Sequence, residues 1–143
     1  MSGPRGSAPP ARGRDPGGPA VPAVTRRALG RAGEEAAVAA LRERGYRILD
    51  RNVRLRRGEL DVVALERGTI VFVEVKARRS ARYGTPADAV TPRKRGALVR
   101  LAAAYLTTRA WTGRACRFDV AEVWLDAAGR VQRVEIIPDA FQA

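Results

Sequence analysis

Histidine is absent from the 143 residues, and cysteine occurs once, at Cys116. Without imidazole there is no Ser–His or Cys–His nucleophile pair and no histidine-ligated metal. One thiol excludes an internal disulfide framework and a cysteine-rich zinc site. Aromatic residues make up only 6% of the chain, and no apolar run approaches the ~20 residues of a membrane span, so no membrane partner is expected. Lysine is nearly missing as well: Lys76 and Lys94 stand alone among 27 basic residues. Any catalysis must come from carboxylates, lysine, or a metal held by oxygen.

What is present is basic. The net charge is +12, in a chain of a length suited to one domain with a real core. Residues 1–24 hold six of the nine prolines and five of the fourteen glycines. Such a stretch cannot bury enough surface to order itself, and it lacks the apolar core of a signal peptide. It reads as a disordered tail on a cytoplasmic protein, with residues 25–143 as a single domain. Three arginines and one aspartate give the tail +2, which leaves +10 on the domain. Arg42, Arg44, Arg47, Arg51, Arg54, Arg56 and Arg57 form one cluster. Lys76, Arg78, Arg79, Arg82, Arg93, Lys94 and Arg95 form another. A domain this basic points to a polyanion, most simply nucleic acid, although a solvated arginine-rich surface has the same composition.

Periodicity predicts a helix over residues 27–44, stopped by Gly45, and then a strand from Tyr46 to Leu55. Leu60–Leu65 and Thr69–Val75 read as a hairpin around Arg67-Gly68. A loop over 78–90 leads to Thr91-Pro92, which opens a second helix as N-cap and first helical residue. Leu98, Leu101, Ala102 and Tyr105 form its buried stripe. Arg117–Leu125 and Val131–Ile137 are two more strands. The order α-β-β-β-α-β-β is that of an α/β (α+β) domain with one central sheet.

The hairpin brings acidic residues together. A turn at Arg67-Gly68 makes paired residue numbers sum to 135, which sets Asp61 opposite Glu74 and Glu59 opposite Lys76. Ile70, Phe72, Glu74 and Lys76 share one strand face. Facing carboxylates among Leu60, Val62, Phe72 and Val73 repel each other where charge is costly. A divalent cation converts that repulsion into coordination, and Mg²⁺ takes oxygen ligands and needs no histidine. Glu34 lies on the buried stripe of the first helix with Ala37, Val38 and Leu41, whereas Glu35 points toward Arg42 and solvent. Gly30 and Gly33 allow that helix to approach the sheet closely. The alternative is a surface ladder of charges, with Glu34 merely favoured by the helix dipole. At the second helix, Arg93, Lys94 and Arg95 oppose the dipole; with the free N–H groups of the first turn they read as a phosphate site, and equally as a solvated basic turn.

Asp61, twelve intervening residues and then Glu74-Val75-Lys76 resembles the PD-(D/E)xK nuclease signature, with Leu60 where its name has proline. The longer series Gly30-x-x-Gly33-Glu34, Gly58-Glu59-Leu60-Asp61 and Val71 to Arg78 is similar to the bacterial YraN family. The likeness continues through Tyr83-Gly84-x-Pro86, Ala89-Val90, Lys94 and Arg117-Phe118-Asp119-Val120. These are uncharacterised endonuclease-like proteins, distantly similar to archaeal Holliday junction resolvases. The resemblance implies a restriction-endonuclease-like core, a mixed sheet flanked by helices. It implies Mg²⁺ or Mn²⁺ held by Asp61 and Glu74, with the Val75 carbonyl as a further ligand and Glu34, the helical acid, as the third acidic residue of the metal site. Lys76 would position or activate the attacking water.

The expected function is therefore Mg²⁺-dependent endonucleolytic hydrolysis of nucleic acid, branched or structured DNA in particular. Asp61, Glu74 and Lys76 are the catalytic set, and Gly33 and Glu59 support it. Arg78, Arg93, Lys94 and Arg95 are the expected backbone contacts. DNA is preferred over RNA, with both left open, and a homodimer is expected by analogy with the resolvases. The alternative is a nucleic-acid-binding protein without turnover on the same fold, and a partner-binding module is a third reading.

Overall fold

The computed structural model describes residues 26–78 and 90–142. The Pro/Gly-rich segment 1–24 and nearly all of the loop expected over 78–90 lie outside the described residues. The elements run α1 (Arg26–Glu43), β1 (Arg47–Leu55), β2 (Gly58–Glu66), β3 (Thr69–Arg78), α2 (Pro92–Thr108), β4 (Cys116–Leu125) and β5 (Val131–Phe141).

Local chemistry explains the boundaries. Gly45 takes φ 91 at the end of α1, and the Tyr46 N–H reaches back to the Leu41 carbonyl at 3.0 Å, a glycine-terminated C-cap. Arg67 and Gly68 adopt φ 51 and 84, the two left-handed positions of a type I′ hairpin turn. Thr91 caps α2: its side chain accepts from the Lys94 N–H at 3.2 Å, and Pro92 follows in the first turn.

The five strands form one mixed sheet in the order β1-β2-β3-β4-β5, parallel only between β3 and β4. That parallel step needs a crossover, and α2 makes it. The period-2 alternation of β3 then assigns its residues to two cores. Val71 and Val73 join Ala37, Val38 and Leu41 of α1, with Ala121 and Val123 of β4. Ile70 and Phe72 join Leu98, Leu101, Ala102 and Tyr105 of α2, with Phe118 and Val120. The sheet is thus covered by one helix on each face, an α+β fold of the expected class. β3 is buried on both sides, which is why it reads as a continuous apolar run.

Two expectations need correction. β5 does not stop at Ile137 but runs through Pro138 to Phe141. It is an edge strand, where a missing ladder N–H is tolerated. A register shift between Phe118 and Val120 and a left-handed Asp139 (φ 51) carry the pairing past the proline. Glu35 pairs with Arg51 at 2.6 Å rather than facing Arg42, because β1 passes beside the middle of α1.

The β5 continuation is held by Asp119, which is fully buried. Its carboxylate accepts from the Tyr46 hydroxyl at 2.7 Å, from Arg117 Nε at 2.9 Å and from the Asp139 N–H at 2.9 Å. Burial, and then the Asp119 hydrogen bond, push the Tyr46 phenol up to about 12. Truncating one member of such a network strands the others in low dielectric. Asp119→Ala is expected to cost about 3 kcal/mol in urea-unfolding free energy, and Tyr46→Phe about 1 kcal/mol. Equal and negligible losses would show the network to be dispensable.

Candidate functional site

The β2–β3 register sums to 135 from Glu66↔Thr69 to Val62↔Val73, and there the paired ladder ends. The pairs Asp61–Glu74 and Glu59–Lys76 do not form. On the other side of β2, Arg51↔Val62 and Val53↔Leu60 are paired while Asn52 and Asp61 are skipped. Asn52 takes the left-handed φ of 51, and the alternation slips at this point. Val62 belongs to the α1-facing core, yet Leu60 and Val53 belong with the α2-facing core. Asp61 therefore occupies a break in the sheet. Its side chain takes over from the backbone: Oδ2 accepts the Val75 N–H at 2.9 Å.

From that position Asp61 faces two ways. It lines a cleft of about 340 Å³ together with Glu34, Asn52, Glu59 and Ala77. It also lies beside Glu74, which is 6% exposed, the two lining one small enclosed pocket with Leu60 and Phe72. Burial, then the Glu74 charge and more weakly the Glu34 charge, push Asp61 up from 3.8 to about 7, and the Val75 N–H only partly opposes this. A buried carboxyl that titrates near neutrality beside a second one is a mark of functional sites, though ion-pair networks also produce it.

The remaining candidates divide between the two helices. Glu34, on α1, accepts from Asn52 Nδ2 at 2.9 Å and lies 3.5 Å from Arg51, so it rims the cleft with its charge partly compensated. Gly33 allows this approach: a Cβ there would meet the Ala77 Cβ at 3.1 Å, whereas one on Gly30 would meet nothing within 4 Å. Only one of the two glycines is required for packing. Glu59 is exposed and lies 3.8 Å from Arg54. Lys76 is half-buried on the face of Glu74, next to Glu122 across the parallel pair with β4.

Three of the four expected backbone-binding cations have partners within the protein. Lys94 Nζ reaches Glu74 Oε2 at 3.1 Å, so α2 delivers a lysine to the buried carboxylate. Arg78 pairs with the fully buried Glu122. Arg95 donates to the Val90 carbonyl at 3.0 Å and lies over the Phe141 ring. Arg93 is exposed at the start of α2.

Asn52 and Glu122 belong to this region and are not marked by the sequence pattern. An asparagine inside a strand is a weak hint of left-handed backbone. Glu122 sits in an otherwise apolar run, with burial pushing it up against the pull of Arg78 and Lys76. One of its oxygens has no hydrogen-bond partner among the described residues.

A hydrated Mg²⁺ suits this donor set, since it is commonly held by one or two carboxylates and keeps several waters. Two carboxyls forced together at a partly dry break supply that number. Among the described residues no group of three acidic side chains is arranged to hold a metal. The donors thus fit an open, water-completed site rather than an all-protein cage.

The fold and site define an α+β domain with a carboxylate pair at a sheet break, covered by a helix on each face. The chain belongs to the uncharacterised protein family UPF0102, whose model matches residues 33–123, the YraN-like family that the motifs suggest. A UPF0102 protein of Moorella thermoacetica is 53% identical over 118 residues, covering 82% of this chain and 98% of that protein. Relatives from Symbiobacterium thermophilum (50% over 117 residues; 82% and 98%) and Pelotomaculum thermopropionicum (47% over 119 residues; 83% and 99%) carry the same family name.

Two measurements follow from the electrostatics. Asp61 binds its proton more tightly folded, near 7, than unfolded, near 3.8. Its contribution to metal-free stability is therefore full below about pH 4 and lost as pH rises to about 7. The melting temperature of the parent protein should fall across that window relative to Asp61→Asn, and Mg²⁺ at pH 8 should close the gap. Parallel melting curves for the two proteins would contradict the assignment. Lys94→Met removes the cation from Glu74 and should cost about 1–2 kcal/mol at pH 8 without metal, with recovery on adding Mg²⁺. An unchanged melt would mean that the Lys94–Glu74 pair contributes nothing.

Proposed function

We propose that this chain is a Mg²⁺-dependent endonuclease of the PD-(D/E)xK type, able to use Mn²⁺, acting on nucleic acid with DNA as the preferred polymer. The observation that carries the reading is the approach of Asp61 to Glu74 at the sheet break, with Lys76 next on the same face of β3. Nothing in the packing of the two cores calls for paired carboxyls there, and their repulsion has a use once a cation is bound.

Asp61, Glu74 and the Val75 carbonyl are the groups that would hold the metal, which when bound supplies charge stabilisation at the phosphate oxygens. The Asp61–Val75 hydrogen bond orients one carboxylate before substrate arrives, so little reorganisation is left for the reaction. Lys76 lies one strand repeat from Glu74, about 7 Å along β3. Glu122, its neighbour on β4, places a negative charge beside the ammonium, which would orient a water against the phosphodiester. Water attacks phosphorus in line, the bond to the leaving sugar oxygen breaks, and the cationic surroundings hold the developing negative charge. Glu34 and Asn52 close the α1 side of the cleft.

A second reading, nucleic-acid binding without turnover, draws on Lys94. Its ammonium already compensates Glu74, so the pair has a resident cation without any metal. Cleavage separates the two. The parent protein with Mg²⁺ or Mn²⁺ is to be screened over flaps, forks, four-way junctions and structured RNA. The nuclease reading expects metal-dependent nicks that fall at least ~100-fold in Asp61→Asn, Glu74→Gln and Lys76→Ala, since each removes a group acting on the transition state. Binding by the parent protein with no cleavage of any substrate would leave the second reading standing.

A further inference from the structure

Most acidic side chains of the described domain are spent on particular arginines. Arg51 meets Glu34 and Glu35, Arg109 meets Asp50, Arg117 meets Asp119 and Glu66, and Arg78 meets Glu122. Arg56, Arg57 and Arg100 have no ion-pair partner among the described residues, and all three are exposed and line one cleft of about 470 Å³. Arg56 and Arg57 form the β1–β2 turn, between the paired Leu55 and Gly58. Arg100 comes from α2. The turn is seated on that helix, because a Cβ on Gly58 would stand 3.1 Å from Leu101 Cδ1.

The floor of the cleft is shallow. Arg93, Ala97, Arg100 and Ala104 recur at helical spacing along one stripe of α2, and Ala97 and Ala104 line the cleft with Leu101. Alternate small and cationic residues let an extended polymer lie close to the helix while guanidinium forks reach it from both walls. Three like charges converging without a carboxylate cost stability unless an anion is shared. Along the chain the cleft lies near the acidic site. Gly58 is three residues from Asp61, about 10 Å along β2, and Arg100 is six residues from Lys94, about 9 Å along α2. Measured along the axis of a B-form duplex, at ~3.4 Å per step, those spans correspond to about three base pairs.

We propose that this cleft is a track for the phosphodiester backbone of a duplex, holding it about three base pairs along the axis from the phosphate presented to Asp61 and Glu74. The proposal rests on the nucleic-acid reading above but not on turnover. Its phosphates are those of the polymer, and Arg56, Arg57 and Arg100 each take one.

The test measures binding of a fluorescein-labelled DNA duplex by anisotropy in EDTA, where no cleavage occurs, over a series of salt concentrations. Arg56→Ala/Arg57→Ala/Arg100→Ala is compared with Arg42→Ala/Arg44→Ala/Arg47→Ala, which removes the same charge from exposed positions outside the cleft. The cleft variant is expected to lose at least about tenfold in affinity and about 2–3 from the log–log salt slope, at ~0.9 per phosphate contact. The control is expected to change affinity less than threefold. Equal effects of the two triple variants would overturn the track, because only net charge would then matter. A parent protein that does not bind DNA would overturn both the track and the nucleic-acid reading. Binding lost in the cleft variant but never accompanied by cleavage in Mg²⁺ would uphold the track and remove only the nuclease assignment.

Discussion

Two carboxyls held against each other inside a β-sheet make an unfavourable arrangement, and much of this molecule can be understood as the means of tolerating it. Asp61 is pushed to near-neutral titration by burial and by Glu74. It remains in place because both flanking ladders skip it and its side chain replaces the backbone as acceptor for Val75. A left-handed Asn52 on β1 absorbs the geometric slip. Each helix then contributes on its own face: α1 brings Glu34, across the close approach that Gly33 permits, and α2 brings Lys94 to Glu74. Neither helix could do so without the two cores that press them onto the sheet.

Charge follows the same logic at larger scale. A net +12 suggests a uniformly cationic surface, but the arginines serve different ends. Arg117 enters a buried network with Asp119 and Tyr46 that holds β5 beyond Pro138. Arg109 bridges Asp50 and the rings of Tyr105 and Trp111, and so ties the end of α2 to β1. A planar guanidinium that can bond in its plane and stack on its face suits such joints, which lysine would serve poorly. The two lysines instead lie next to carboxylates at the candidate site, Lys94 on Glu74 and Lys76 beside Glu122.

Much of the fold was legible in the residue order. The type I′ turn at Arg67-Gly68, the Thr91-Pro92 cap and the α2 stripe are short-range features, set by backbone chemistry within a few residues. The register sum of 135 followed from the turn alone and holds wherever β2 and β3 pair. What could not be read was where that pairing would stop. The break at Asp61 comes from competition between a side-chain carboxylate and a strand carbonyl for one N–H, and from a distortion on β1 imposed two strands away. Likewise Pro138 ends a strand by local rule, yet here the sheet edge and Asp119 override it.

The sequence by itself therefore determined the elements, their order, the two-faced burial of β3 and the acidic residues that hairpin geometry brings near one another. These depend on periodicity and on contacts close along the chain. The tertiary structure alone decided the partners: Lys94 with Glu74 rather than with solvent, Arg78 with Glu122, Glu34 with Asn52, and Arg56, Arg57 and Arg100 left facing one cleft without carboxylates. The three pairs join residues eighteen or more positions apart, and Arg100 stands 43 positions beyond Arg57. Composition gives the supply of charges, but which ones meet depends on how two helices pack across a twisted sheet, and pairwise charge energies fall off too quickly with distance for anything less than that packing to select them.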